Sequence, residues 1–264
     1  MTTTYGLRIA LASALAVISL VAGAKAAPAS TAKSIVLVHG ALTDGSTWRG
    51  VYDILTKDGF RVRVVQQPLT GLADDVAATK RVIDQLDGPV VLVGHSYGGT
   101  IITVAGADPK VKALVYVAAL QPDVGETTNQ LASSRPGKAP SSDLTASPDG
   151  FVFFDPAKFP SDVAADVPPA EARYLAQAQM PVAAAAFDVP VEVAAWHDKS
   201  SYGVIATDDL ELSPALAHWM YERSGTKVTE IRGSHLVYVS QPRAVARVIE
   251  AAARSNSNVL SGCR

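Results

Sequence analysis

Residues 34–38, apolar after Ser34, and residues 90–93 are continuous runs of mostly β-branched residues, and helical spacing follows each of them. A strand covered on both faces reads this way, because neither set of alternate side chains meets water. Residues 61–65 and 111–117 read as two more strands. Between the first two strands, residues 47–57 carry Trp48, Val51, Tyr52, Ile54 and Leu55 at helical spacing, with Gly59 as a stop. Residues 72–86 hold a second apolar stripe that Asp87, Gly88 and Pro89 end, and residues 101–107 continue a third helix. Further on, strands at 202–206 and 227–231 flank a helix at 214–223, and a helix at 242–253 closes the chain. This alternation predicts an α/β fold: a mostly parallel, doubly wound sheet with helices on both faces. The chain has 264 residues, 48% hydrophobic and 18% charged, so it can bury such a core.

Residues 121–199 break the pattern. Prolines recur from Pro122 through Pro140 and Pro168 to Pro190, and strand signals are few. Long insertions between core elements usually carry function. Phe151, Phe153, Phe154, Phe159, Tyr174, Phe187 and Trp196 argue for a packed segment. It reads as a cap or lid over the carboxyl ends of the strands, where open α/β sheets bind ligands.

The chain begins with a polar stretch and Arg8, then sixteen uncharged residues from Ile9 to Ala24, then Ala24-Lys25-Ala26. This predicts a signal peptide over residues 1–26, cleaved after Ala26, and an exported domain over residues 27–264. The other reading is a membrane anchor, which needs about 20 apolar residues and no cleavage motif. Export leaves 21 basic against 25 acidic residues. That balance argues against nucleic-acid binding, whose footprint is a basic excess. The one cysteine, Cys263, allows neither an internal disulfide nor a cysteine-rich metal site. Neither a metal nor an organic cofactor is expected, and the expected partner is a small-molecule substrate.

Gly94-His95-Ser96-Tyr97-Gly98 follows the third strand and opens a helix. A Gly-x-Ser-x-Gly pattern in that context presents a serine hydroxyl on a sharp, strained bend. Glycines two residues either side remove side chains that would collide, and the helix N-terminus favours developing negative charge. A serine needs a base at neutral pH. Of five histidines, His39 ends the first strand and reads as structural. His95 is expected to point away from Ser96. His197, in the insertion, is a candidate substrate contact, and His218 lies on a helix. His235 follows the last strand, in the loop that returns to the carboxyl edge, and is the expected base. The acid should lie after the preceding strand, at Asp208 or Asp209, with Asp123 a third candidate; spacing does not choose. The oxyanion donors are expected to be the backbone N–H groups of Tyr97 and Ala41, the latter in the loop His39-Gly40-Ala41-Leu42. Leu42, Trp196 and Leu236 are candidate substrate contacts, as are Phe151, Phe153 and Phe154.

These residues together resemble the α/β-hydrolase fold. More narrowly, VLVHGALTDGSTW, VVLVGHSYGGTII, VIATDDLELSPALAHWM and GSHLVYVSQP resemble the branch of plant methylesterases, hydroxynitrile lyases and many bacterial hydrolases. The resemblance puts the acid on Asp209, the last carboxylate of a Thr-x-Asp segment, and the first-loop oxyanion amide on Ala41. Hydroxynitrile lyases carry a lysine directly after the histidine; Leu236 stands there, which argues against that activity. The resemblance implies a serine hydrolase cleaving carboxylic esters, and Phe151, Phe153, Phe154 and Trp196 point to small substrates with apolar or aryl groups. A ligand-binding protein, a lactone or amide hydrolase and a cofactor-free perhydrolase are the alternatives.

Overall fold

A computed structural model describes residues 1–2, 32–134 and 143–255. The predicted cleavage site and the rest of the signal peptide beyond Thr2 lie outside these residues, as do Pro136, Pro140 and Cys263. In chain order the first elements are β1 (Ser34–Val38), α1 (Arg49–Lys57), β2 (Arg61–Val64), α2 (Leu72–Asp84), β3 (Val90–His95), α3 (Gly98–Ala105) and β4 (Val111–Val117). The insertion holds α4 (Thr128–Ala132), β5 (Leu144–Ala146), β6 (Phe151–Phe154), α5 (Phe159–Asp162), α6 (Pro169–Gln177) and β7 (Val182–Ala183). The chain then forms β8 (Ser200–Ala206), α7 (Pro214–Arg223), β9 (Lys227–Ile231), α8 (Val237–Ser240) and α9 (Pro242–Arg254).

Six strands form one sheet in the order β2-β1-β3-β4-β8-β9, and every pairing in it is parallel. The continuous apolar runs have a simple cause. Side chains alternate across a strand, and both faces of this sheet are covered. Ile35, Leu37, Val91 and Val93 enter one core with Val51 and Leu55 of α1 and Val245 and Ile249 of α9. Val36, Val38 and Leu92 enter a second core with Ile83 of α2, Ile101 and Ile102 of α3 and Met220 of α7.

The expected helices are present with shifted ends. The first begins as a 3₁₀ turn at Gly45–Trp48, where the Asp44 side chain accepts from the Ser46 N–H at 2.6 Å. The third starts at Gly98, directly behind the serine bend. The insertion is more regular than its prolines imply: β5, β6 and β7 form a small antiparallel sheet. Strands this short leave little periodic signal, and only pairing with one another makes them strands.

Candidate active site

Ser96 sits at φ +51°, in the left-handed region, between the end of β3 and the start of α3. A side chain there is strained, and such strain clusters at functional sites. The flanking glycines are sterically required. A Cβ on Gly94 would lie 2.5 Å from the Gly98 carbonyl oxygen, and one on Gly98 would lie 2.7 Å from the His39 carbonyl oxygen. Leu42, in the first loop, is also strained, at φ +61°.

The loop after β9 brings His235 back across the carboxyl edge of the sheet. The Ser96 hydroxyl donates to His235 Nε2 at 2.9 Å, and His235 Nδ1–H donates to Asp209 Oδ2 at 2.8 Å. Asp209 is almost fully buried, and its other oxygen accepts from the Glu211 and Leu212 amides at 2.8 and 2.9 Å. Those amides leave Oδ2 directed at one imidazole nitrogen. Asp208 instead faces solvent and pairs with Arg232 at 3.4 Å. Asp123 is also away from His235; it accepts from His197 at 2.8 Å. Burial works against a charged His235. The Asp209 carboxylate works the other way, through charge and hydrogen bond, and the net result is a pKa raised above 6.5.

His95 makes no bond to Ser96. A carbonyl oxygen only accepts, so His95 Nε2 carries the hydrogen and donates to the His235 carbonyl at 3.0 Å. Burial keeps its pKa well below the usual value, so the ring is neutral. His39 is buried with a pKa lowered to about 4 by desolvation, and His218 is exposed beside Glu230 at 3.1 Å.

Ser96 and His235 open on a cavity of about 170 Å³, which Ala41, Leu42, Tyr97 and Leu236 also line. Phe154, Phe159, Val163 and Phe187 of the insertion close it. Several expectations about the wall need correction. Trp196 does not line the cavity: its Nε1–H donates to the Pro122 carbonyl at 2.8 Å and its ring stacks on His197, so it staples the base of the insertion. His197 is likewise turned outward to Asp123 and does not reach the cavity. Among the three phenylalanines of β6, strand alternation sends Phe154 inward and leaves Phe153 exposed, and Phe151 is not in the wall.

Three residues at or behind the site were not foreseen. Phe187 packs edge-on to Tyr97 at 5.2 Å between ring centroids. Asp166, between α5 and α6, accepts from the Ser234 hydroxyl and, at 2.6 Å, from the Ser240 hydroxyl, on either side of His235. Asp75, in the first turn of α2, is fully buried and accepts from the Tyr97 hydroxyl at 3.0 Å. Neither aspartate stands in a motif, so only contact across the fold reveals them. Among the described residues no cluster of three or more histidine, cysteine or carboxylate side chains has the arrangement to hold a metal.

An all-parallel sheet with a strained serine bend after its third core strand, and a histidine returning to that bend after the last, defines an α/β-hydrolase architecture. The chain belongs to the alpha/beta hydrolase family, whose model matches residues 35–248. It is 35% identical to a carbendazim hydrolyzing esterase of Nocardioides over 109 residues, 36% of this chain; the match spans 45% of that protein. A pyrethroid hydrolase from Sphingobium faniae has a similar structure, with a TM-score of 0.73 and 22% identity over 86% of this chain and 99% of the other. Polyneuridine aldehyde esterase is similar too, with a TM-score of 0.72 and 19% identity over 83% of this chain and 98% of that one. The two solved structures share the fold of this chain over nearly all of their own length.

Proposed function

We propose that the protein is an exported serine esterase that cleaves small, neutral esters with apolar or aryl substituents. One observation carries the reading: the hydrogen-bonded line from Ser96 through His235 to Asp209 opens on a cavity walled mostly by apolar side chains. Ser96 attacks the ester carbonyl while His235 Nε2 takes its proton. Asp209 holds the tautomer that leaves Nε2 free to accept, and it stabilises the imidazolium that forms. The Ala41 and Tyr97 amides receive the oxyanion. His235 then protonates the departing alkoxide, and water, deprotonated by the same imidazole, releases the acid from Ser96.

The phenylalanines of the wall favour apolar or aryl groups over charged ones. The relatives named above are by name a carbendazim hydrolyzing esterase and a pyrethroid hydrolase, which supports ester hydrolysis here. Leu236, buried in the wall where hydroxynitrile lyases carry lysine, supports hydrolysis over cyanohydrin cleavage.

The test is Ser96→Ala. The variant is expected to melt like the parent and to lose hydrolysis of p-nitrophenyl esters by about 10⁶-fold in kcat. An aryl phosphonate should label the parent stoichiometrically at Ser96. Turnover near the parent's in the alanine variant, or absent labelling, refutes the reading.

A further inference from the structure

Asp75 takes no part in the mechanism above, yet its carboxylate is fully buried in the wall of the second core. A buried carboxylate is costly unless hydrogen-bonded, so its partners show what it holds. Oδ1 accepts from the Leu69 N–H at 2.8 Å, and Oδ2 accepts from the Tyr97 hydroxyl at 3.0 Å. Both partners bear on the site. Tyr97 follows Ser96 and lines the cavity. Leu69 is held at φ +57°, and its carbonyl accepts from the Ala183 N–H in β7 at 2.8 Å. Four residues beyond Ala183, Phe187 packs back on the Tyr97 ring.

We infer that Asp75 is a positioning residue for the oxyanion hole and the adjoining cavity wall, because one carboxylate holds both Tyr97 and the loop on which the Phe187 segment docks. The inference rests on the serine-esterase reading. The Tyr97 ring is fixed at two points: its hydroxyl on Asp75 and its T-shaped contact with Phe187. Fixing the ring limits the freedom of the residue whose amide must meet the oxyanion. A hydrogen bond accepted by a charged group is stronger than a neutral one, which suits an anchor under an amide that must not yield. The buried acid is pushed up to about 6, chiefly by desolvation, which the bonds from Leu69 and Tyr97 oppose.

The experiment compares Asp75→Asn, Tyr97→Phe and the double variant on p-nitrophenyl acetate, with a trifluoromethyl ketone as transition-state analogue. Asparagine preserves size and an acceptor for the Leu69 amide, so a folded protein is expected, checked by thermal melting. Each single change should lower kcat about tenfold, a fraction of the 10²–10³ lost when an oxyanion donor is removed outright. KM should stay within about twofold, and the ketone's inhibition constant should rise in step with the fall in kcat/KM. Tyr97→Phe removes the bond to Asp75 and Asp75→Asn takes away its charged acceptor, so both act on one interaction and the double variant should be no worse than the poorer single one. Folded single variants with unchanged kcat overturn the inference, and so do losses that multiply in the double variant. If Asp75→Asn does not fold, Tyr97→Phe alone decides by the same kcat and ketone readings. Should the parent neither cleave the ester nor bind the ketone, the esterase reading fails first, so the two failures are distinguishable.

Discussion

At the scale of single residues, the site depends on which proton sits where. His235 must be neutral at Nε2 to accept from Ser96, and its pKa is raised above 6.5. The rate constant kcat/KM is therefore expected to rise with pH through a pKa above 6.5. Below it the imidazolium cannot act as base. The same shift has a stability consequence of opposite sense: proton binding to His235 favours the folded state below the unfolded pKa of about 6.5, and this is lost as pH rises through the folded value. Asp209→Asn removes the charge that raises the pKa. The acid limb of the pH–rate profile should move to lower pH, and kcat should fall by about 10⁴-fold as the tautomer is lost. An unchanged limb in that variant would mean that another group sets it. Asp208→Asn is the control, since Asp208 faces solvent and pairs with the exposed Arg232 rather than with His235.

Among the elements, the insertion does more than cover the cavity. Asp166 sits between α5 and α6 and grips Ser234 and Ser240, the hydroxyls that bracket His235. The Val163 carbonyl in the same segment accepts from the Leu236 N–H at 3.2 Å. The loop carrying His235 is thus clamped from above. Asp166→Ala takes the carboxylate from two hydroxyls, which keep only the longer bonds to the Val163 and Val237 carbonyls at 3.2 and 3.4 Å, and is expected to cost about 1 kcal/mol of stability. It should also lower kcat several-fold with KM little changed, since the base loses its support while the cavity keeps its walls. Thermal melting and steady-state kinetics check this, with Asp166→Asn, which keeps an acceptor, recovering part of the loss. An alanine variant equal to the parent in both would leave the clamp without consequence. The glycine-bounded elbow was readable in advance because sterics confine it to a few residue types. Asp166 was not, because nothing local to residues 159–177 refers to the histidine loop about seventy residues away.

For the molecule as a whole, the cavity lies at the carboxyl edge where the two cores meet. Phe154, Phe159 and Leu236 come from one core and Tyr97, Leu120 and Leu212 from the other. A ligand in this cavity would touch side chains of both cores. The proposed export is a property of the whole chain as well. Expressed in a secreting host, the protein is expected outside the cytoplasm with Ala27 as its N-terminus, read by N-terminal sequencing or intact mass. Recovery of the uncleaved chain from the cytoplasmic fraction alone would remove the signal-peptide reading.

The amino-acid sequence by itself determined the parallel, two-faced sheet, the bend at Ser96 and the order of serine, acid and histidine along the chain. Each follows from short-range physics: side-chain alternation, helical periodicity, and the few residues that a strained turn accepts. Only the tertiary structure decided that Asp209 and not Asp208 turns toward His235, that Trp196 belongs to the base of the insertion, and that Asp75 and Asp166 stand behind the site. Those choices depend on which partner a polar or aromatic group meets across the fold, and no local pattern encodes a meeting between residues so far apart in the chain.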